Sequence, residues 1–89
     1  MSEVAIYTRP NCPYCSHAKA LLDSRQIAYK ELDVTKDPDL LTEMLRRTGG
    51  RTFPQIVIGE RSVGGYDDLR ALDGEGRLRA LLEPQRTAS

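Results

Sequence analysis

The sequence predicts an α/β fold of order βαβαββα, a mixed four-stranded sheet with helices on both faces. Three observations predict it. A short β-branched, apolar run near the start is followed at once by a helical pattern, and a second extended segment and a second amphipathic helix repeat the pair. Two further short runs are then separated only by Gly59-Glu60, and a third helical pattern follows them. Strands joined through a helix are expected to lie parallel with a right-handed crossover, whereas Gly59-Glu60 is expected to close an antiparallel hairpin.

The first strand is read at Val4-Ala5-Ile6-Tyr7-Thr8, buried, and ended after Arg9 by Pro10-Asn11. Pro13 suits the first position of a helix, where its missing N–H costs nothing. Ala18, Leu21 and Leu22 then give an apolar face to about Gln26, with Cys12 at the N-cap. Ile27 to Val34 alternates partly and reads as the second strand. Asp37-Pro38 reads as a cap and first-position proline, opening a helix whose apolar residues are Leu40, Leu41, Met44 and Leu45 and which stops near Thr48-Gly49-Gly50. Phe53 to Ile58 and Arg61 to Gly64 are the hairpin strands. Gly64-Gly65-Tyr66-Asp67-Asp68 leads into the third helix, with Asp67 or Asp68 as cap, and Leu78 to Leu82 adds a short fourth helix.

At 89 residues the chain suits one domain, taken as residues 1–83, with 84–89 a flexible tail. Thirteen basic and thirteen acidic side chains cancel, and no block of like charge occurs. Binding to nucleic acid by bulk charge is therefore not expected, and neither a Walker-type loop nor a basic patch with interleaved aromatics is present. Met1 to Tyr7 lacks the layout of a signal peptide, and no apolar run approaches the ~20 residues of a membrane span. A cytoplasmic monomer without a membrane partner is the expectation.

Both cysteines lie in Cys12-Pro13-Tyr14-Cys15, between a strand and a helix. A bridge between them closes so short a loop that a purely structural purpose is weak. Sulfur at a helix N-terminus faces free N–H groups and the positive end of the dipole, which favour thiolate over thiol. Cys12 is thus expected to be the exposed nucleophile. Cys15, nearly one turn on, is expected to be the resolving thiol. Arg9 and Lys19 are candidates to add positive potential, against an ordinary solvated role for each. His17 reads as a surface side chain rather than a base or metal ligand. Zinc on Cys12, Cys15 and His17 lacks a fourth ligand, so no metal site is expected.

Three separated motifs, Tyr7-Thr8-Arg9 through Cys15, Arg51 to Ile56, and Gly64 to Leu69, together resemble a glutaredoxin of the short bacterial dithiol class. The resemblance runs to about Leu82 and implies a thioredoxin-like fold. It implies an oxidoreductase that reduces protein disulfides and glutathione mixed disulfides, with glutathione as co-substrate and no tightly bound cofactor. It further implies a cis Phe53-Pro54 bond, with the Phe53 backbone pairing the cysteinyl part of glutathione. The glutamyl carboxylate then maps to Gly65, Tyr66 and Asp67 at the third helix, and the Asp67 side chain to the glutamyl ammonium. Tyr14 would flank the mixed disulfide, Thr52 would stand beside Phe53, and Arg9 or Arg51 would take the glycyl carboxylate. Two rivals share the fold: a donor reduced by thioredoxin reductase, and a carrier of a glutathione-ligated iron–sulfur cluster. The glutathione-site residues argue against the first, and Pro13 and Tyr14 against the second.

Overall fold

The computed structural model describes residues 3–82, so the expected tail lies outside the described residues. Its elements are β1 (Val4–Thr8), α1 (Pro13–Ser24), β2 (Lys30–Asp33), α2 (Pro38–Thr48), β3 (Gln55–Ile58), β4 (Arg61–Gly64), α3 (Tyr66–Gly74) and α4 (Leu78–Leu82). The sheet order is β2-β1-β3-β4, with β1 parallel to β2 and antiparallel to β3, and β3 antiparallel to β4. This is the thioredoxin-like arrangement that the resemblance implies.

Alternation along β1 and β3 divides the core. Val4, Ile6, Ile56 and Ile58 pack with Ala18 and Leu22 of α1, Leu69 of α3, and Leu78 and Leu82 of α4. Tyr7 and Val57 point the other way, onto Met44 of α2. Because side chains in a strand alternate with period two, the central strands need apolar residues on both faces, and β1 is accordingly buried along its whole length.

Several boundaries move from the sequence expectation. β2 pairs only from Lys30, because Ile27 is buried in the core beneath α1 instead of joining the ladder. β3 begins at Gln55, after the cis Phe53-Pro54 bond. The cap of α3 is Gly65, not Asp67 or Asp68. Asp68 reaches back one turn, and its carboxylate accepts the Gly65 N–H at 3.0 Å. Gly64, at φ 115, leaves open the space that this carboxylate fills, and a side chain there would meet it.

Two polar networks fix helices to the frame. The buried Tyr7 hydroxyl donates to the Glu43 carboxylate and accepts from the Arg47 guanidinium at 2.7 Å, while Arg47 also donates to the Gly59 carbonyl at the hairpin turn. Burial, reinforced by the Glu43 bond, pushes the Tyr7 phenol above its ordinary value. At the far end of α1, Arg25 forms a two-pronged pair with Asp73 of α3, at 2.7 and 2.9 Å. Arg79 of α4 donates to the Arg25 carbonyl.

Candidate active site

Pro10 and Asn11 carry the chain from the end of β1 to α1. Asn11 adopts φ 58, a left-handed conformation that asparagine tolerates, and Cys12 then sits as the N-cap with extended backbone. Pro13 occupies the first helical turn, as its side chain predicts. Cys12 and Cys15 are joined as a disulfide with Cα atoms 5.2 Å apart. Cys12 is half-buried, whereas Cys15 is 2% exposed, so only the first sulfur is open to a partner. The Cys15 N–H donates to the Cys12 Sγ at 3.2 Å.

Beside Tyr14 lies a cleft of about 290 Å³ formed where α1, the segment entering β3 and the start of α3 meet. Its walls are Tyr14, Thr52, Phe53, Pro54, Gly65, Tyr66 and Asp67, together with Asp68. Seven of the nine residues expected at a glutathione site are therefore brought together. Gly65 lies against the entry to β3, since a Cβ on it would stand 3.5 Å from the Pro54 carbonyl oxygen. Arg9 is not a wall residue, but its guanidinium lies over the Phe53 ring at 5.1 Å, beside the cleft. Arg51 is exposed and does not line the cleft. A groove of about 360 Å³ at the other end of β1, lined by Val4, Ile27 and Tyr29, contains none of these residues.

Electrostatics around the cysteines are simpler than the sequence allows. Lys19 gives its ammonium to Glu31 at 3.0 Å, and the Thr8 hydroxyl donates to the same Glu31 oxygen at 2.9 Å. Partial burial pulls the Glu31 pKa up, but these two hydrogen bonds and the lysine charge outweigh it, leaving the carboxyl below its ordinary value. Lys19 is thus paired with Glu31 of β2. Among the described residues no group of three or more His, Cys, Asp or Glu is arranged to hold a metal ion.

Two contributors escape the sequence reading. Gln55 is buried at the start of β3, and its Nε2 donates to the Thr52 carbonyl at 2.9 Å and the Thr52 hydroxyl at 3.1 Å, fixing one cleft wall. A glutamine opening a strand gives no signal of this. His17 is exposed, as expected, yet its ring lies 5.6 Å from that of Tyr66 and 6.2 Å from that of Tyr14. The spacing of Tyr14 and His17 on one helix face is legible, but Tyr66 reaches them only through the fold.

Comparison with known proteins agrees with this geometry. The profile of the Glutaredoxin family matches residues 4–63. Glutaredoxin 3 of Escherichia coli K12 is 46% identical over 83 residues, which cover 93% of this chain and 100% of that protein. The solution structure of glutaredoxin from Brucella melitensis superposes with a TM-score of 0.79 at 54% identity, covering 92% of this chain and 89% of that one. A buckwheat glutaredoxin–glutathione complex superposes with a TM-score of 0.81 at 27% identity, covering 91% of this chain and 76% of that one.

Proposed function

The chain belongs to the glutaredoxin family, the glutathione-dependent disulfide oxidoreductases, and carries the dithiol pair Cys12 and Cys15; from this we propose how its residues divide the reaction. Cys12 is the nucleophile. Its thiolate attacks the glutathionyl sulfur of a mixed disulfide, and the substrate thiolate leaves and takes a proton. A second glutathione thiolate then attacks the glutathionyl sulfur held on Cys12, giving glutathione disulfide and free Cys12. With a protein disulfide, Cys12 forms a mixed disulfide with one substrate sulfur, and Cys15 attacks Cys12 to release the reduced protein. Two glutathione molecules then reduce the Cys12–Cys15 bond.

The observation that carries this division is the N-cap geometry of α1. The half-buried Cys12 sulfur accepts an N–H from within the helix, while Cys15 is enclosed. The cleft supports the accompanying assignment of glutathione contacts. The Phe53 backbone beside Pro54 takes the cysteinyl portion, with Thr52 adjoining it and Tyr14 flanking the sulfur. Free N–H groups of Tyr66 and Asp67, next to Gly65 at the start of α3, take the glutamyl carboxylate, and the Asp67 side chain takes its ammonium. The glycyl carboxylate is assigned to Arg9 ahead of Arg51 in this reading, supported by the Arg9 guanidinium lying over the Phe53 ring.

In this reading glutathione is a co-substrate, and the partners are glutathionylated or disulfide-bonded proteins acted on by a monomer whose one domain spans 1–83. The compartment is the cytoplasm, where a reduced glutathione pool supplies the electrons. No helix among the described residues is long and apolar enough to cross a membrane.

The test is turnover of the mixed disulfide of glutathione and 2-mercaptoethanol, coupled to glutathione reductase and NADPH, with a thioredoxin reductase couple in parallel. Turnover in the glutathione couple alone is expected. Turnover in the thioredoxin reductase couple alone would transfer the chain to the rival electron donor.

A further inference from the structure

The turn that carries Cys12 is suspended between two anchors. Among the described residues no backbone–backbone hydrogen bond holds Arg9, Pro10 or Asn11, so the place of Cys12 depends on where β1 ends and where α1 begins. Thr8, the last residue of β1, is buried, and its carbonyl accepts the Val34 N–H at 3.0 Å. Lys19 lies one helical turn beyond the enclosed Cys15, on the same face of α1. A single side chain joins these two points. Glu31, opposite Ile6 in the β1–β2 ladder, accepts the Thr8 hydroxyl at 2.9 Å and the Lys19 ammonium at 3.0 Å, both on the one oxygen Oε2.

We infer that Glu31 is a positioning residue: by bonding the strand that enters the Cys12 turn to the helix that leaves it, it holds the Cys12 sulfur where thiol–disulfide exchange at the glutathione cleft requires it. The inference rests on the glutathione assignment above. Exchange needs the attacking sulfur close to the disulfide and aligned with it, and a displacement of about 1 Å can cost about 100-fold in rate. Glu31 is not a wall of the cleft, so it acts through α1 and not on glutathione. The hydrogen bond to the Cys12 Sγ comes from the Cys15 N–H inside α1 and moves with the helix, so the tie sets the place of the sulfur and not its acidity. Because both bonds meet on one oxygen, a glutamine can keep both on its single carbonyl oxygen while losing the charge. Geometry and charge are thereby separable.

The experiment measures glutathione-coupled turnover of the mixed disulfide of glutathione and 2-mercaptoethanol by wild type, Glu31→Ala, Glu31→Gln, Thr8→Val and the Thr8→Val Glu31→Ala double variant, each well below its Tm. The pH profile of iodoacetamide alkylation of reduced Cys12 is recorded alongside. Glu31→Ala and Thr8→Val are each expected to lower kcat about 3- to 10-fold and to leave the KM for glutathione within about 2-fold. The double variant is expected to fall no further than the slower single one, because both changes cut the same tie. Glu31→Gln is expected to stay close to wild type, and all five proteins to share one alkylation profile. Unchanged kcat in Glu31→Ala, additive losses in the double variant, or a fall in Glu31→Gln as deep as in Glu31→Ala would each overturn the inference. So would a shifted alkylation profile, which would make Glu31 act on the charge of the thiolate. Thr8→Val removes the hydroxyl and keeps the side chain's shape, so it carries the test alone if Glu31→Ala fails to fold. Wild-type turnover that Glu31→Ala matches leaves the glutathione assignment intact, whereas a wild type silent in the glutathione couple overturns both.

Discussion

The Cys15 backbone N–H donates to the Cys12 Sγ across 3.2 Å, so the first turn of α1 presents a hydrogen bond to the one sulfur that is open to solvent. The same N–H would stabilise negative charge on that sulfur once the disulfide is reduced, and the positive end of the helix dipole acts in the same direction. Cys12→Ser is therefore expected to abolish turnover of every substrate. Cys15→Ser is expected to retain deglutathionylation and to lose most reduction of protein disulfides. Equal losses for the two variants in both assays would refute the division of labour between the sulfurs.

Arg9 and Arg51 are equivalent candidates by position, and the fold separates them. Arg9 lies over Phe53 at the cleft, whereas Arg51 is not one of its walls. A charge-assisted bond to a carboxylate is about twice as strong as a neutral one. Arg9→Gln should thus raise the KM for glutathione about 5- to 30-fold with a much smaller change in kcat, and Arg51→Gln should leave it within about 2-fold. Steady-state kinetics with glutathione as the varied substrate reads both, and the reverse order would hand the glycyl carboxylate to Arg51.

Glu31 gives a pH dependence whose sign follows from its partners. Its carboxyl is held below the ordinary 4.5 by Lys19 and Thr8, against the opposing pull of partial burial. A carboxyl depressed in the folded state contributes stability that is present above its unfolded pKa and is lost as pH falls through the folded one. Wild type is accordingly expected to lose stability from about pH 4.5 downward, and Glu31→Gln to lose less over that interval. Urea unfolding at a series of pH values measures it, and parallel curves for the two proteins would remove Glu31 from the acid transition.

Much of this architecture is legible because its signals are local. Pro13 after Cys12, Pro38 after Asp37 and the Gly59-Glu60 turn each state a boundary within a few residues, and all three stand where the sequence places them. What resists reading is non-local or reciprocal. Asp68 caps by reaching back to Gly65, so the chemically obvious capping residue is not the one at the cap. Ile27 belongs to the core and not to the ladder because burial beneath α1 outweighs its strand propensity. Lys19 is paired with a glutamate on β2 that helix spacing does not reveal. At the site, the cysteines and most of the cleft residues follow from motifs, whereas the buttress behind Thr52 follows only from packing.

That buttress yields a separable effect on glutathione binding. The buried Gln55 amide donates to both the carbonyl and the hydroxyl of Thr52, and a Cβ on Gly50 would stand only 2.5 Å from the same amide nitrogen, so the loop before Pro54 is folded tightly around it. Removing the amide takes the donor from both the Thr52 carbonyl and the Thr52 hydroxyl and frees the loop. Each such bond contributes about 1 kcal/mol net, so Gln55→Ala is expected to lower stability by about 1–3 kcal/mol. For a domain of this size that corresponds to a fall in Tm of roughly 4–8 °C per kcal/mol. Below the new Tm, the KM for glutathione should rise several-fold while kcat at saturating glutathione changes much less, because neither sulfur moves. Gln55→Glu keeps the shape but turns acceptors toward acceptors, and at neutral pH it should not restore the KM. A lower Tm with unchanged KM in both variants would show that Gln55 stabilises the strand and has no part in shaping the cleft.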